Sequence, residues 1–312
     1  MNLLLHSPTN LVNPLARQRF MGFGTGVSGG ASFVGPLDGY TTSMTGAWSV
    51  SRRLLSSYSG PLVRIRRSSD SAEQDIGANG LGDLDTAAIT TFVGSNSAFV
   101  RTIYHQNGGV NLGQATAATQ PRIVNAGTLE TVNGKPACLF SGSQFLEAAL
   151  SGGNAAAWTN YMTASTAAYV AGQSYARLLA AGASGVNDWT NVNSFVGFGR
   201  VIVSTSYQVQ FHGVTLAGQT LADGTNFIAA SRFQAGNPVR YLKVNGNAAT
   251  TDNTFYTAPN FTFTTLRVGR GVSSTDTQEH WAGKASEVVC YSTAHADPTV
   301  LMGVMNTHFS LY

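Results

Sequence analysis

The second half of the chain is a succession of short runs rich in β-branched, aromatic and alanine residues, separated by turn residues. Runs of this length and spacing are typical of strands in an all-β sandwich or barrel. The predicted strands cover residues 137–140, 167–171, 194–197, 200–203, 207–211, 226–231, 240–244, 262–269 and 286–291. Because the chain has 312 residues and 35 glycines, we expect one elaborated, turn-rich domain.

Two short helices interrupt this β pattern. Asp85 suits a helix N-cap and Gly94 a residue just past the C-terminus, which predicts a helix over 86–93. It stands between predicted strands at 62–65 and 99–104, so we expect a strand–helix–strand insert before the main sandwich. Asp297 and Pro298 supply an N-cap and a preset first helical residue, which predicts a closing helix over 298–308.

The first 50 residues have a different character, with apolar residues scattered among Gly, Ser and Pro and a glycine-dense run over 21–30. Such a run disfavours helix and weakens strand, and no Gly-Lys-Ser/Thr follows it as a phosphate loop requires. We therefore predict an extended N-terminal arm over 1–50 and a sandwich over 51–312, with 51–135 as its arginine-rich insert region. The first residues lack the features of a signal peptide, so we expect no export by that route.

Residues 51–76 concentrate charge in a chain that is only 11% charged. The segment carries arginines at positions 52, 53, 64, 66 and 67. Nearby arginines lower the pKa of carboxyl groups, whereas a general acid needs a raised pKa. The sequence thus predicts a structural charge network formed by Arg64, Arg66, Arg67, Asp70, Glu73 and Asp75, which braces the arm against the sandwich.

Residues 51–76, 99–112 and 133–142 together resemble the opening of the catalytic domain of arabinofuranosidase B-like proteins. The resemblance implies a concanavalin A-like jelly-roll β-sandwich, and residues 241–291 are similar to the second half of a laminin-G-type member of that superfamily. It also implies a retaining glycosidase, which needs two carboxyl groups roughly 5–5.5 Å apart.

Two departures from that family weigh against catalysis. The fungal enzymes carry Tyr-Asp-Gln-Ser-Gly where this chain has Tyr104-His105-Gln106-Asn107-Gly108, so His105 replaces a carboxylate. They also carry adjacent cysteines, and this chain has no Cys-Cys pair. No pair of acids carries a catalytic motif, so we assign no catalytic residue.

Three functions follow as hypotheses. The first is a non-catalytic, lectin-like structural protein of a bacteriophage particle, a decoration, fibre or tail-associated protein assembled in the host cytoplasm. Its arm would contact other virion proteins, the protein would be a homo-oligomer, and it would bind host surface polysaccharide. The second is an arabinofuranosidase-type glycoside hydrolase acting on polysaccharide. The third is a structural spacer without glycan affinity.

Carbohydrate binding requires an aromatic face and a few polar groups for the sugar hydroxyls. Several aromatic residues stand beside Asn, Asp and Thr in segments that we predict as loops. The candidate glycan-binding residues are Trp158, Tyr161, Asp188, Trp189, Asn191 and Trp281.

Other ligands receive less support. The net charge is only +3 and no long basic run exists, which argues against a nucleic-acid partner. No stretch reaches 18 apolar residues, so we expect no membrane insertion. The histidines lack zinc-type spacing, so we expect no cofactor, with a calcium ion in a loop left open.

Cys138 and Cys290 lie in apolar contexts that favour free thiols, although a disulfide between neighbouring strands stays open.

Overall fold

The computed structural model describes residues 32–150, 154–168, 175–183, 194–201, 206–211, 214–234, 240–252, 261–272 and 279–312. The strands of the first half are β1 (Met44–Ser49), β2 (Val63–Arg67), β3 (Glu73–Ile76), β4 (Ala98–Ile103), β5 (Leu112–Gly113), β6 (Arg122–Asn125), β7 (Thr128–Leu129), β8 (Thr131–Val132), β9 (Lys135–Pro136), β10 (Cys138–Ser141) and β11 (Leu146–Ala149).

The strands of the second half are β12 (Asn154–Ala155), β13 (Ala157–Thr166), β14 (Tyr175–Gly182), β15 (Ser194–Val201), β16 (Ser206–Phe211), β17 (Val214–Thr220), β18 (Asn226–Gln234), β19 (Arg240–Val244), β20 (Thr250–Asp252), β21 (Phe261–Thr262), β22 (Thr265–Val268) and β23 (Ala282–Tyr291). The helices are α1 (Thr86–Val93) and α2 (Thr299–Phe309), and short 3₁₀ turns cover Asp38–Tyr40 and Ala117–Thr119.

The strands form two antiparallel layers. The first sheet runs β20–β19–β18–β13–β23, and β23 then pairs with β1 along one half of its length and with β10 along the other. The second sheet runs β17–β16–β15–β14–β22–β11–β5–β4–β2–β3. The layers join where β6 pairs with both β10 and β4. The all-β sandwich predicted from the sequence is confirmed.

Apolar side chains from the two sheets form one core between them. Met162 and Val288 of the first sheet belong to the same buried cluster as Leu266 of the second. The rings of Phe198 on β15 and Phe227 on β18 stack across this core with centroids 4.8 Å apart. Burial of apolar surface at this interface is the main force that holds the layers together.

The opposite face of the first sheet is also covered. Helix α2 packs Leu301, Met302, Met305 and Phe309 against a second buried cluster that includes Ile228 and Val289. The first sheet therefore lies between two apolar layers, and residues 158–166 of β13 are all buried. A strand buried on both faces lacks the alternation of apolar and polar residues that identifies a half-exposed strand.

Burial along almost their whole length accounts for two strands that the sequence pattern did not predict, β13 and the alanine-rich β14. The strand predicted at 167–171 lies beyond the end of β13 and partly outside the described residues. The two strands predicted at 194–197 and 200–203 are one strand, β15. The remaining predicted runs overlap observed strands.

The predicted boundary of the arm at residue 50 is wrong for the part that the structure describes. Strand β1 pairs with β23 from Ser49 opposite Glu287 to Met44 opposite Tyr291, so it is an integral strand of the first sheet. The compact unit that contains the sandwich begins at Phe33. The rest of the predicted arm, residues 1–31, lies outside the described residues.

Both predicted helices are confirmed. Asp85 Oδ1 accepts a hydrogen bond from the backbone N–H of Ala88 at the start of α1, and Gly94 follows its end with φ 57°. At α2, Asp297 Oδ1 accepts a bond from Thr299 N at 2.8 Å, and the helix runs one residue past the predicted end. Among the described residues, no helix has the length and apolar character needed to span a membrane.

Cys138 and Cys290 are buried free thiols, and the sheet register shows why they do not pair. Cys138 lies opposite Ala285 on β23, whereas Cys290 lies five residues farther along that strand. At about 3.4 Å per residue, this spacing exceeds the roughly 7 Å that a disulfide can bridge between Cα atoms. Burial raises the pKa of both thiols, which keeps them protonated.

Replacing Gly283 by alanine should lower the free energy of unfolding by about 2–3 kcal/mol. The residue has φ 142°, and an added Cβ would lie 2.1 Å from the carbonyl oxygen of Ser165 on the paired strand. Chemical denaturation measures the loss. The control is Gly113→Ala, because its nearest new contact is the Arg101 carbonyl oxygen at 3.8 Å. Equal stability losses in the two variants would contradict the prediction.

Candidate functional site

The structure buries the described members of the predicted glycan-binding set. Trp158 and Tyr161 lie on β13 and Trp281 immediately precedes β23, with exposed fractions of 5%, 0% and 1%. The prediction that Trp158 and Tyr161 lie in loops is therefore wrong. Asp188, Trp189 and Asn191 lie outside the described residues. Binding of a glycan by this set stays a prediction.

The contacts of these aromatic residues are those of core residues. Trp158 Nε1 donates to Asn160 Oδ1 at 2.6 Å, and the Trp158 ring meets Phe263 edge-on. The Tyr161 hydroxyl lies 2.7 Å from His295 Nδ1. Because a buried ring offers no open face, these side chains do not form a sugar-stacking surface in this conformation.

The arginine-rich segment forms ion pairs at the surface of the insert. Arg64 makes two hydrogen bonds to Asp75, and Arg67 makes two to Asp70. The bonds from Arg67 and from Ala72 N lower the pKa of Asp70 to about 2, and Arg64 lowers the pKa of Asp75.

Arg66 and Glu73 have different partners from those that the local charge pattern suggested. Arg66 donates to Gln120 Oε1 at 2.8 Å, and Glu73 lies 3.8 Å from Arg101. The segment is thus a set of separate contacts within the insert. Its role as a brace between the arm and the sandwich stays a prediction, because residues 1–31 of the arm lie outside the described residues.

The segment that departs from the fungal pattern is a tight turn in which His105 and Gln106 are buried. His105 is 5% exposed, and its Nδ1 accepts hydrogen bonds from the backbone N–H groups of Asn107 and Gly109 at 3.0 and 2.9 Å. Gln106 binds the backbone of residues 52 and 54. The carboxylate of the fungal enzymes could accept the same two N–H bonds, so we interpret the residue at position 105 as one that stabilises the turn. The presence of His105 there is therefore no argument against catalysis.

A buried ion pair ties this turn region to the sandwich. Arg52 Nε donates to Glu287 Oε1 at 2.7 Å and Arg52 Nη2 donates to Oε2 at 3.2 Å. The hydroxyls of Ser49 and Ser51 lie 3.2 Å from Oε1 and donate to it. The Glu287 side chain is fully buried, and both of its carboxylate oxygens accept hydrogen bonds from these donors. We therefore interpret the pair as structural.

His308 of α2 lies beside this ion pair and should make the protein less stable in acid. The pKa of His308 is lowered from 6.5 to about 4, mainly by burial and also by Arg52 and Lys135, while Glu287 and Asp83 act in the opposite direction. Because the folded-state pKa is below the unfolded value, only the unfolded chain takes up this proton between pH 6.5 and 4. Stability is unaffected above pH 6.5 and falls toward pH 4, by up to about 3 kcal/mol.

The measurement is the free energy of unfolding at pH 7 and pH 4.5 for the wild type and for His308→Gln. We expect the variant to lose less stability between these two pH values, because it has no proton to gain at this position. Equal losses would contradict the assignment of this pH dependence to His308.

A band of charged side chains lies on the face of the second sheet that points away from the core. We call it the outer-face band, and its members are Glu147, Arg177, Arg267, Arg270 and Glu279. Strand alternation gives this position for Arg267, which stands between the core residues Leu266 and Val268, and for Glu147, which stands between Leu146 and Ala148.

Two ion pairs organise the outer-face band. Arg267 Nε donates to Glu147 Oε2 at 2.6 Å and Arg267 Nη1 donates to the carbonyl of Gly271 at 3.0 Å. Arg177 Nη2 lies 3.5 Å from Glu279 Oε1. The second pair is almost fully buried, whereas the Glu147 side chain is 39% exposed.

One aromatic ring, that of Phe145, lies beside two arginines of the band. The guanidinium of Arg267 lies 5.4 Å from the centre of the Phe145 ring, and that of Arg270 lies 5.3 Å from it. Gly271 N donates to the Glu279 carbonyl at 3.2 Å, which joins the residues after β22 to Glu279. The band therefore combines carboxylates, fixed cations and a ring, the groups that hold and cleave sugars.

The outer-face band was not predicted from the sequence. Its acids and arginines are far apart along the chain, and β11, which carries Glu147, was not among the predicted strands. The local indication of an outward-facing charge was Leu-Arg-Val over 266–268, where a charged residue alternates with apolar ones. Among the described residues, no three His, Cys, Asp or Glu side chains cluster as metal ligands.

Comparisons with known proteins connect this structure to one family of enzymes. Residues 36–171 match the family model described as "Alpha-L-arabinofuranosidase B, catalytic". A probable alpha-L-arabinofuranosidase B of Aspergillus clavatus is 36% identical over 100 residues, which cover 30% of this chain and 20% of that protein. The alpha-L-arabinofuranosidase of Hypocrea jecorina is 33% identical over 105 residues, with 32% and 21% covered. The matched segment thus spans about a fifth of these relatives.

Solved structures extend the similarity of fold to most of the chain. An arabinofuranosidase complexed with arabinofuranosyl-alpha-1,2-xylobiose superposes with a TM-score of 0.63, at 18% identity, over 89% of this chain and 65% of that one. An arabinofuranosidase soaked with a cyclic sulfate inhibitor has the same TM-score at 17% identity and the same coverage of both chains.

The prediction of a non-catalytic structural protein of a phage particle, and with it the virion description, is wrong. The family model and the relatives named above are arabinofuranosidases, which are glycoside hydrolases. The departures at residues 104–108 that favoured the other hypothesis concern a structural turn. Over residues 36–171 this chain is similar to the catalytic domain of α-L-arabinofuranosidase B, and its fold is the β-sandwich of those enzymes.

Proposed function

We propose that this chain is a glycoside hydrolase of arabinofuranosidase type that removes arabinofuranosyl groups from a polysaccharide. The observation that carries the proposal is the match of residues 36–171 to a catalytic-domain model rather than to a binding module. The segment matched includes Glu147 of the outer-face band, whereas Arg177, Arg267, Arg270 and Glu279 follow it in the chain.

The outer-face band contains two carboxylates, and retaining hydrolysis needs two carboxyl groups. In retaining hydrolysis, one carboxylate attacks the anomeric carbon while a carboxylic acid protonates the departing glycosidic oxygen; water then cleaves the glycosyl–enzyme bond. We propose Glu147 as the attacking carboxylate. Arg267 orients its Oε2, and the partly exposed side chain is within reach of a bound sugar.

Glu279 is the other carboxylate of the band and the second candidate. It lies in a buried ion pair with Arg177. Fixed arginines near both carboxylates can also donate to sugar hydroxyls, since a guanidinium presents five N–H donors in a planar fork. This arrangement orients the substrate before the chemical step.

The test is the release of 4-nitrophenol from 4-nitrophenyl α-L-arabinofuranoside, with arabinose release from a branched arabinoxylan measured in parallel. We expect turnover by the wild-type chain and retention of anomeric configuration in the product, followed by NMR. The double variant Glu147→Gln/Glu279→Gln, purified identically, measures contaminating activity. Turnover equal in the two preparations would overturn the proposal.

A further inference from the structure

A groove lies on the insert, formed by the turn over residues 56–61 and the segment after β3. Its volume is about 210 Å³, and its lining residues are Arg53, Ser59, Gly60, Pro61, Gly77 and Ala78. This is about seven times the ~30 Å³ that one water occupies in the liquid, yet below the ~300 Å³ of pockets for drug-sized ligands. The groove therefore fits a ligand no larger than one sugar ring.

Arg53 supplies the only charge among the lining residues of the groove. Its guanidinium carbon lies 3.8 Å from the centre of the Phe33 ring, a stacked arrangement that fixes the plane of the group. In the described part of the chain, no acceptor takes a hydrogen bond from this guanidinium, and its buried Nε has no partner. Buried donors rarely remain unsatisfied, because an unmade hydrogen bond costs about 1–3 kcal/mol.

The other arginines of the insert have partners. Arg52 binds Glu287, Arg64 binds Asp75, and Arg67 binds Asp70. Asp38, the acid whose pKa the charge of Arg53 helps to lower, already accepts hydrogen bonds from Gly35 N and Ser56 N at 2.8 Å. Arg53 thus remains available for an acceptor from outside the described chain.

The walls of the groove suit a sugar. Gly60, Gly77 and Ala78 have no long side chains to fill it, and a Cβ added at Gly77 would meet nothing within 4 Å. Pro61 offers an apolar surface and Ser59 a hydroxyl, while the fixed guanidinium matches a carboxylate in a two-bond fork. We propose that this groove binds a carboxylate-bearing sugar, a uronic acid unit of an acidic polysaccharide.

The proposal does not require the outer-face band to be catalytic, because binding is measured without any arabinofuranoside. The probe is D-glucuronate, titrated into the full chain and followed by protein NMR, with D-glucose as its neutral counterpart and inorganic phosphate as a simple anion. We expect saturable glucuronate binding that is at least tenfold tighter than glucose binding.

Two variants test the groove by different means. Arg53→Gln removes the charge but keeps the length, and Gly77→Leu fills the groove but keeps the charge. We expect each to weaken glucuronate binding at least tenfold. Arg101→Gln, at another arginine of the insert, and Gly303→Leu, at a helix position where an added Cβ meets nothing, are the matched controls and should bind as the wild type does.

Three results would overturn the proposal. These are glucuronate binding no tighter than that of glucose, binding unchanged in both groove variants, and phosphate binding at least as tight as that of glucuronate, which would indicate a site for small anions in general. Thermal unfolding of each variant identifies misfolded protein. If Arg53→Gln is misfolded, Arg53→Lys is used in its place. Lys keeps the charge without the planar fork and should bind glucuronate more weakly.

Discussion

Replacing Arg52 by methionine should lower the free energy of unfolding by about 3–5 kcal/mol. The variant leaves the Glu287 carboxylate buried with two serine hydroxyls as donors and no cation. Removing one member of a buried pair costs far more than the pair contributes, because the remaining charge cannot regain its hydration. The contact also links β23 to the segment after β1, so its loss affects the packing of the first sheet.

Chemical denaturation of the wild type and of Arg52→Met measures this effect. The control is Arg64→Met, which breaks a pair whose side chains are 43% and 38% exposed and should cost less than about 1 kcal/mol. The double variant Arg52→Met/Glu287→Gln removes both charges and should recover part of the loss. Equally small losses in the free energy of unfolding for Arg52→Met and Arg64→Met would show that the buried Glu287 carboxylate does not need Arg52 as its cation.

Replacing Glu147 by glutamine should reduce kcat for the aryl arabinofuranoside at least about 100-fold, if the chain acts as we propose. Glutamine keeps the size of the side chain and its hydrogen-bonding oxygen but cannot attack the anomeric carbon. Because Glu147 is partly exposed, the fold should be preserved. Circular dichroism and the unfolding midpoint check this point.

The matched control is Glu73→Gln, which changes a carboxylate of similar exposure in the insert and should leave kcat within a factor of two of the wild type. Glu279→Gln should also reduce kcat, with a measurable loss of stability because its buried arginine loses an ionised partner. Full activity in Glu147→Gln would exclude this residue as the nucleophile and place the reaction elsewhere on the sandwich.

The sequence was most informative where structure is decided by neighbours in the chain. The cap of α1 joins Asp85 to Ala88, and the surface pair of Arg67 and Asp70 spans three residues. The half-exposed strand β2 alternates apolar and basic residues, which was enough to recognise it. By contrast, β13 was missed because α2 covers one of its faces and the second sheet covers the other.

The candidate site could not be predicted in the same way. Glu147 and Arg267 are 120 residues apart, Arg177 and Glu279 are 102 apart, and Arg52 and Glu287 are 235 apart. Which acid meets which arginine depends on strand register, and a shift of one residue would move every side chain of a strand to the other face. The local charge pattern therefore drew attention to residues 64–75, whose acids pair with arginines at the surface.

The sequence by itself determined the all-β class, the two helices and the surface pair of Arg67 and Asp70, because these depend on residues within a few positions of one another. Only the tertiary structure decided the burial of Trp158, Tyr161 and Trp281, the structural role of His105, and the grouping of Glu147 with Arg267 and of Arg177 with Glu279. The physical reason is that burial and long-range ion pairing are set by which strands become neighbours and by their register.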